Sequence, residues 1–201
     1  MDFSTEIPWL CASLNCPSVA ELDTWTQDEL YTYAEEALRA VARKFILFAG
    51  YNTATTLTIG QAVYGLPSDH VATIYLAAAG AMLAPSNVAE MEALDDSWTT
   101  AANATPARWV GNAADMTVAG IYPPPAAPCP LTLVYQAECP DLSVASPVVA
   151  MPTIMGDYLA LRVLEQARMR QGDAQMADAS KAFGNMADTI ESAFQAYWGS
   201  K

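Results

Sequence analysis

The chain is poor in positive charge. Nine Lys and Arg face 22 Asp and Glu, for a formal net charge of -13. No Lys or Arg occurs between Lys44 and Arg108, and none between Arg108 and Arg162. A sequence-reading nucleic-acid protein gathers cations against phosphate, and this chain cannot build a large basic patch. The acidic balance favours basic protein partners, or a surface that does not hold DNA. No stretch reaches the ~18 apolar residues that a membrane span requires. Asp2 and Glu6 stand where a signal peptide needs basic residues, so the mature chain is expected to start near Met1 and to be soluble. Histidine occurs once, at His70, and cysteine four times, at Cys11, Cys16, Cys129 and Cys139. Those spacings do not make a zinc knuckle, and free thiols in a reducing compartment are the expectation, with a disulfide or metal site as the alternative. Phosphate-loop, dinucleotide-binding, zinc-protease and serine-hydrolase signatures are all missing.

What is present is apolar and rich in alanine. Hydrophobic residues make up 53% of the 201, which excludes a disordered chain and suffices for a substantial core. Alanine buries little area per residue, so its helices need close neighbours in the same chain or another subunit.

Residues 1–24 read as an irregular arm, with Pro8 and Pro17 breaking regular structure. A helix starts after Thr26: Glu29 closes a capping box, and Leu30, Ala34, Ala37, Leu38, Val41, Phe45 and Phe48 share one face until Gly50. Short strands are expected at Leu57 to Ile59, Val63-Tyr64, Val71 to Leu76, Met82-Leu83, Trp109-Val110, Thr117 to Tyr122 and Leu131 to Tyr135. Asn87 and Glu90 cap a short helix through Leu94. Five prolines between residues 123 and 130 predict an extended, stiff link. Helix resumes near Gly156 to Gln171, Gly172 stops it, and Asp173 caps a last helix to Trp198. Met176, Ala179, Phe183, Met186, Ile190, Phe194 and Tyr197 line one face of that last helix. The expected fold is α+β, a long-helix bundle with an inserted small antiparallel β module. Its parts are an arm (1–24), a bundle helix (25–50), the β-rich module (51–140), a connecting loop (141–156) and a C-terminal helix hairpin completing the bundle (157–201).

Candidate chemistry is thin. Asp69-His70 could be an acid–base pair, but adjacent residues rarely aim at one reacting atom, and a hydrogen-bonded turn is the default. Asp95-Asp96, near Glu90 and Glu92, read as a solvated helix end, with no companion ligands for a metal site. The Met and aromatic stripe would ordinarily be core, yet in an assembling protein a core can be shared between chains. Trp98, Trp109 and Trp198 are interface candidates by residue type.

Several segments, in order, resemble phage head-to-tail adaptor (connector or neck) proteins. Leu30-Tyr31-Thr32-Tyr33-Ala34-Glu35-Glu36-Ala37 is similar to the first helix of that family. Tyr64-Gly65-Leu66-Pro67-Ser68-Asp69-His70 follows, then Gly80, Leu83, Pro85 and Glu90-Met91-Glu92-Ala93-Leu94-Asp95-Asp96-Ser97-Trp98. Pro106-Ala107-Arg108-Trp109-Val110 and Gly120-Ile121-Tyr122-Pro123-Pro124-Pro125 continue the order, and the closing hairpin completes it. Thr105 stands where the family pattern has a glycine. The resemblance implies a structural virion protein of the neck, made in the host cytoplasm, with no catalytic residue, no cofactor and no metal. It implies a closed ring, typically dodecameric, that meets the portal protein above and a tail or nozzle protein below. Double-stranded DNA would pass through without being read. Phe183, Met186, Phe194, Tyr197 and Trp198 are then interface candidates, because the resemblance suggests that the C-terminal helices engage the portal. Alternatives are another neck or tail-tube component, or a non-viral protein-binding module.

Overall fold

A computed structural model describes residues 1–15, 25–111, 117–170 and 174–198. The fold of the described residues is mixed α+β, with two sheets in the middle of the chain and all but one of the α-helices on either side of them. Two compact units form, one from Met1–Leu47 with Cys139–Lys201 and the other from Phe48–Glu138.

The first unit is helical. Its opening segment is not irregular: a 3-10 turn at Phe3–Thr5 leads into α1, Ile7–Ser13. Pro8 sits in the first turn of α1, where a missing N–H costs nothing, so it is compatible with the helix. Phe3, Ile7, Leu10, Cys11 and Leu14 are all buried, and the Phe3 ring meets Tyr31 edge-on at 5.4 Å between centroids. The second element, α2, spans Gln27–Lys44. The Thr26 hydroxyl accepts from the Glu29 N–H while the Glu29 carboxylate accepts from the Thr26 N–H, a complete capping box. Acidic Asp28 and Glu29 in the first turn and basic Arg43 and Lys44 in the last both suit the helix dipole. Its buried face is Leu30, Tyr31, Ala34, Ala37, Leu38, Val41 and Ala42. The helix stops at Lys44, short of the expected Gly50, because Phe45 is already extended.

Two more helices complete this unit, α4 at Ile154–Arg170 and α5 at Ala174–Trp198. The first is buried along Met155, Tyr158, Leu159, Leu161, Val163, Leu164 and Ala167, and starts earlier than expected. The anticipated Gln171-Gly172-Asp173 link lies outside the described residues.

The second unit holds β1 (Ala49–Asn52), β2 (Thr56–Leu57), β3 (Val63–Gly65), β4 (His70–Ala78), β5 (Ala81–Met82), β6 (Ala84–Asn87), α3 (Val88–Leu94), β7 (Arg108–Gly111), β8 (Val118–Tyr122) and β9 (Cys129–Ala137). One sheet runs β1-β9-β4-β5, with β2 also on β9, and the other runs β3-β8-β7-β6. All pairs are antiparallel except β6 with β7, which are parallel and joined through α3. The antiparallel module expected from sequence is therefore mixed. A parallel pair needs a crossover connection, and residues 88–107 supply it. Pro85 is tolerated because β6 is an edge strand.

Leu76, Ala78, Leu131, Leu133 and Tyr135 of the first sheet form a core with Tyr64, Ala119 and Ile121 of the second. Gly50 belongs to this arrangement rather than to a helix end. It pairs with Tyr135, and a Cβ there would fall 2.1 Å from the Tyr135 ring. The bare backbone of β1 is what lets that ring lie across it. The short helix is as read: the Asn87 side chain accepts from the Glu90 N–H at 2.9 Å.

Candidate functional site

The last helix carries most of the predicted interface residues, yet a neighbouring row makes its contact with α4. Ser180 and Ala187 are buried on α5, and the Ser180 hydroxyl donates to the Glu165 carbonyl at 2.9 Å. At Gly184 a Cβ would come within 2.5 Å of a Glu165 carboxylate oxygen. Ser180, Gly184 and Ala187 recur at four and three residues, a small-residue ridge that lets the two helices approach closely, and Glu191 follows four residues on. The aromatic stripe lies roughly 80° around the helix from that ridge. Phe183 is half-buried, Met186 is 56% exposed, and half-buried Phe194 rests near Phe45 with ring centroids 6.5 Å apart. The side chains of Met176, Tyr197 and Trp198 lie outside the described residues. Sequence reading singled out the large residues and passed over the small ones; the regular Ser-Gly-Ala spacing was the available signal.

The ridge ends in a charged clamp. Arg162 donates to Glu165 at 2.8 Å, to Asp188 at 2.6 Å, to Glu191 at 3.3 Å and to the Tyr158 hydroxyl at 3.3 Å. Tyr158 donates in turn to Glu191 at 3.2 Å, and Lys44 of α2 reaches the other oxygen of Glu191. Burial pushes the Glu191 carboxyl up, but Lys44, Tyr158 and Arg162 outweigh it and hold it below its ordinary range. Burial likewise opposes the Arg162 charge, and its bonds to Glu165, Tyr158 and Asp188 overcome that. Burial also raises the Tyr158 hydroxyl, which stays a neutral donor.

Most cations are consumed inside the unit. Arg39 pairs with Glu35 and Asp141, both at 3.0 Å, and Arg170 pairs with Glu29. Arg168, only 7% exposed, donates to the Ser13 carbonyl at the end of α1. Carboxylates therefore dominate what the chain presents outward.

Asp69 and His70, the one acid–base candidate, are directed to different partners. Asp69 accepts from the Tyr135 hydroxyl at 2.9 Å, whereas the His70 Nε2 lies 2.9 Å from the Thr73 hydroxyl. Burial lowers the His70 pKa, keeping the ring neutral. A hollow of about 440 Å³ opens beside His70, lined by Leu66, Val71, Trp109 and Val118 among others. His70 is the one titratable group among the described lining residues. Asp95 accepts from the N–H and hydroxyl of Ser97 at 3.0 and 2.8 Å, a local turn. Among the described residues no cluster of three or more His, Cys, Asp and Glu is placed to hold a metal ion. Cys11, Cys129 and Cys139 form no disulfide among the described residues.

The described cations mostly pair with the chain's own carboxylates, and apolar residues such as Met82 and Met186 are left at the surface. The family model of the SU10 adaptor protein matches residues 9–200, and the chain belongs to this family of bacteriophage adaptor proteins. No curated protein matches it. Membership accounts for the order of segments that resembled head-to-tail adaptors, and places the chain among phage structural proteins that associate with other phage proteins. No helix among the described residues is long and apolar enough to cross a membrane.

Proposed function

We propose that this chain is a head-to-tail adaptor of the virion neck, forming a closed ring, of twelve copies in the pattern implied by the family resemblance, between the portal and the tail or nozzle protein. The family match across residues 9–200 is the observation that carries this reading. In it, α2, α4 and α5 act as one long-helix bundle, and the C-terminal end of α5 docks on the portal. Repeating one heterologous contact around an axis satisfies every subunit, whereas an unclosed contact would grow into a filament. The half-exposed stripe of Phe183, Met186 and Phe194 is available for such a contact, with Tyr197 and Trp198 following in sequence. Each large apolar side chain that becomes fully buried contributes roughly 1.5–3 kcal/mol. Double-stranded DNA passes the ring without sequence recognition. A carboxylate-rich surface repels phosphate and limits sticking during packaging and ejection.

Deleting residues 195–201 tests the docking. Phe194 and its contact with Phe45 remain, so the shortened chain should fold. It should fail to join portal-containing heads. A shortened chain that occupies intact particles at full stoichiometry, with normal DNA retention, would rule out C-terminal docking.

A further inference from the structure

The β1-β9-β4-β5 sheet has one face in the core and one turned outward. Register places Tyr51, Val134 and Tyr75 directly across from one another on the outward face. The next row is Thr132, Ala77 and Met82. Tyr51 is 67% exposed and Met82 71% exposed, while Val134, Tyr75 and Thr132 are half-buried. No strand of this sheet, β2 included, contains an Asp, Glu, Lys or Arg. The acids closest in sequence, Asp69 and Glu138, sit together at one end of it, where the Glu138 N–H donates to the Asp69 carbonyl. In a chain of net charge -13, an aromatic and methionine face without one charge is out of keeping with the rest of the surface.

We infer that this outward face of the sheet, centred on Tyr51, Tyr75 and Met82, is a contact surface for a second copy of the chain. The choice of occupant follows from charge. A basic partner would be met by carboxylates, and a nucleic acid by cations; neither stands on these strands. A second copy carries the same excess of acid, and like charges brought into contact repel. Copies can therefore approach at least cost where neither charge nor counter-charge is present. Tyrosine and methionine are the residue types enriched at the centres of such contacts, and charged residues are depleted there. The inference rests on the ring reading above and names one of its surfaces.

The test uses particles grown with the full-length chain carrying a photoreactive benzophenone amino acid in place of Tyr51. After irradiation, the account expects an adduct of twice the 21.5 kDa chain mass, with both cross-linked peptides belonging to this chain. An adduct with a different virion protein, or none, overturns the inference while leaving the adaptor role standing. A chain absent from the particles overturns both. A second variant, Tyr51→Glu with Met82→Glu, places charge on two exposed positions and should leave the circular dichroism unchanged. Its incorporation into particles should fall by roughly tenfold or more, a loss of ~1.4 kcal/mol per contact. Incorporation equal to the parent would overturn the inference.

Discussion

Gly50→Ala should destabilise the β unit, although glycine in a strand is ordinarily the weaker choice. Removing glycine's backbone freedom favours the variant by ~0.5–1 kcal/mol. Against this, the new Cβ falls 2.1, 2.4 and 2.6 Å from three atoms of the Tyr135 ring. Tyr135 is 7% exposed and wedged in the core with Leu76 and Leu133, so the ring cannot swing aside freely. Forcing an extra methyl into a packed core costs ~1–3 kcal/mol. Displacing the ring also stretches its hydroxyl from Asp69, worth about 1 kcal/mol more at a partly exposed bond. The net expectation is a loss of about 2 kcal/mol, measured by urea unfolding. The double-mutant cycle is the discriminating assay. In a Tyr135→Leu background the ring is gone, and Gly50→Ala should be neutral or slightly stabilising. A single variant within about 0.5 kcal/mol of the parent, or a penalty unchanged by Tyr135→Leu, would show that the Tyr135 ring does not exclude a Cβ at position 50.

Arg162→Met removes the hub of the α4–α5 clamp, leaving partly buried Glu165 without its counter-charge and Glu191 with Lys44 alone. Unfolding stability should fall by about 2–3 kcal/mol, and a loss below 0.5 kcal/mol would show the clamp to be solvated. Because the Glu191 pKa is lowered, its contribution is present above the ordinary glutamate range and is lost as pH falls through the lowered value. Thermal melts from neutral to acid pH should therefore show a steeper acid loss for the parent than for Lys44→Met; parallel curves would count against this assignment. Thr26→Ala breaks the capping box of α2 and should cost about 1 kcal/mol in the same unfolding assay.

Legibility in the sequence tracked how local each determinant was. The Thr26–Glu29 box and the Asn87 cap are complete within four residues, and both helices begin where those residues say. The β-branched and aromatic runs of β4, β8 and β9 were also readable, since their side chains suit a half-buried pleated surface. The parallel partnership of β6 with β7 was not, because Ala84 to Asn87 carries a proline and little strand propensity and gains its ladder only from a distant strand. Gly50 misled for the same reason. Its neighbours in sequence suggest a helix stop, whereas Tyr135, far along the chain, determines its role. Pro8 in the arm reads as a breaker until its position in the first helical turn is known. On α5 the large residues stand out in the sequence, but Ser180, Gly184 and Ala187 make the packed contact with α4, because close helix approach requires small side chains.

In the proposed role, copies of this chain close into a ring in the neck of the virion. Symmetry-relaxed electron cryomicroscopy of mature particles, with the neck density assigned by fitting this chain, tests it most directly. One closed ring of identical subunits, seated between portal and tail around the DNA channel, is the expected result. Neck density into which this chain does not fit, or a single copy bound outside the channel axis, would contradict it.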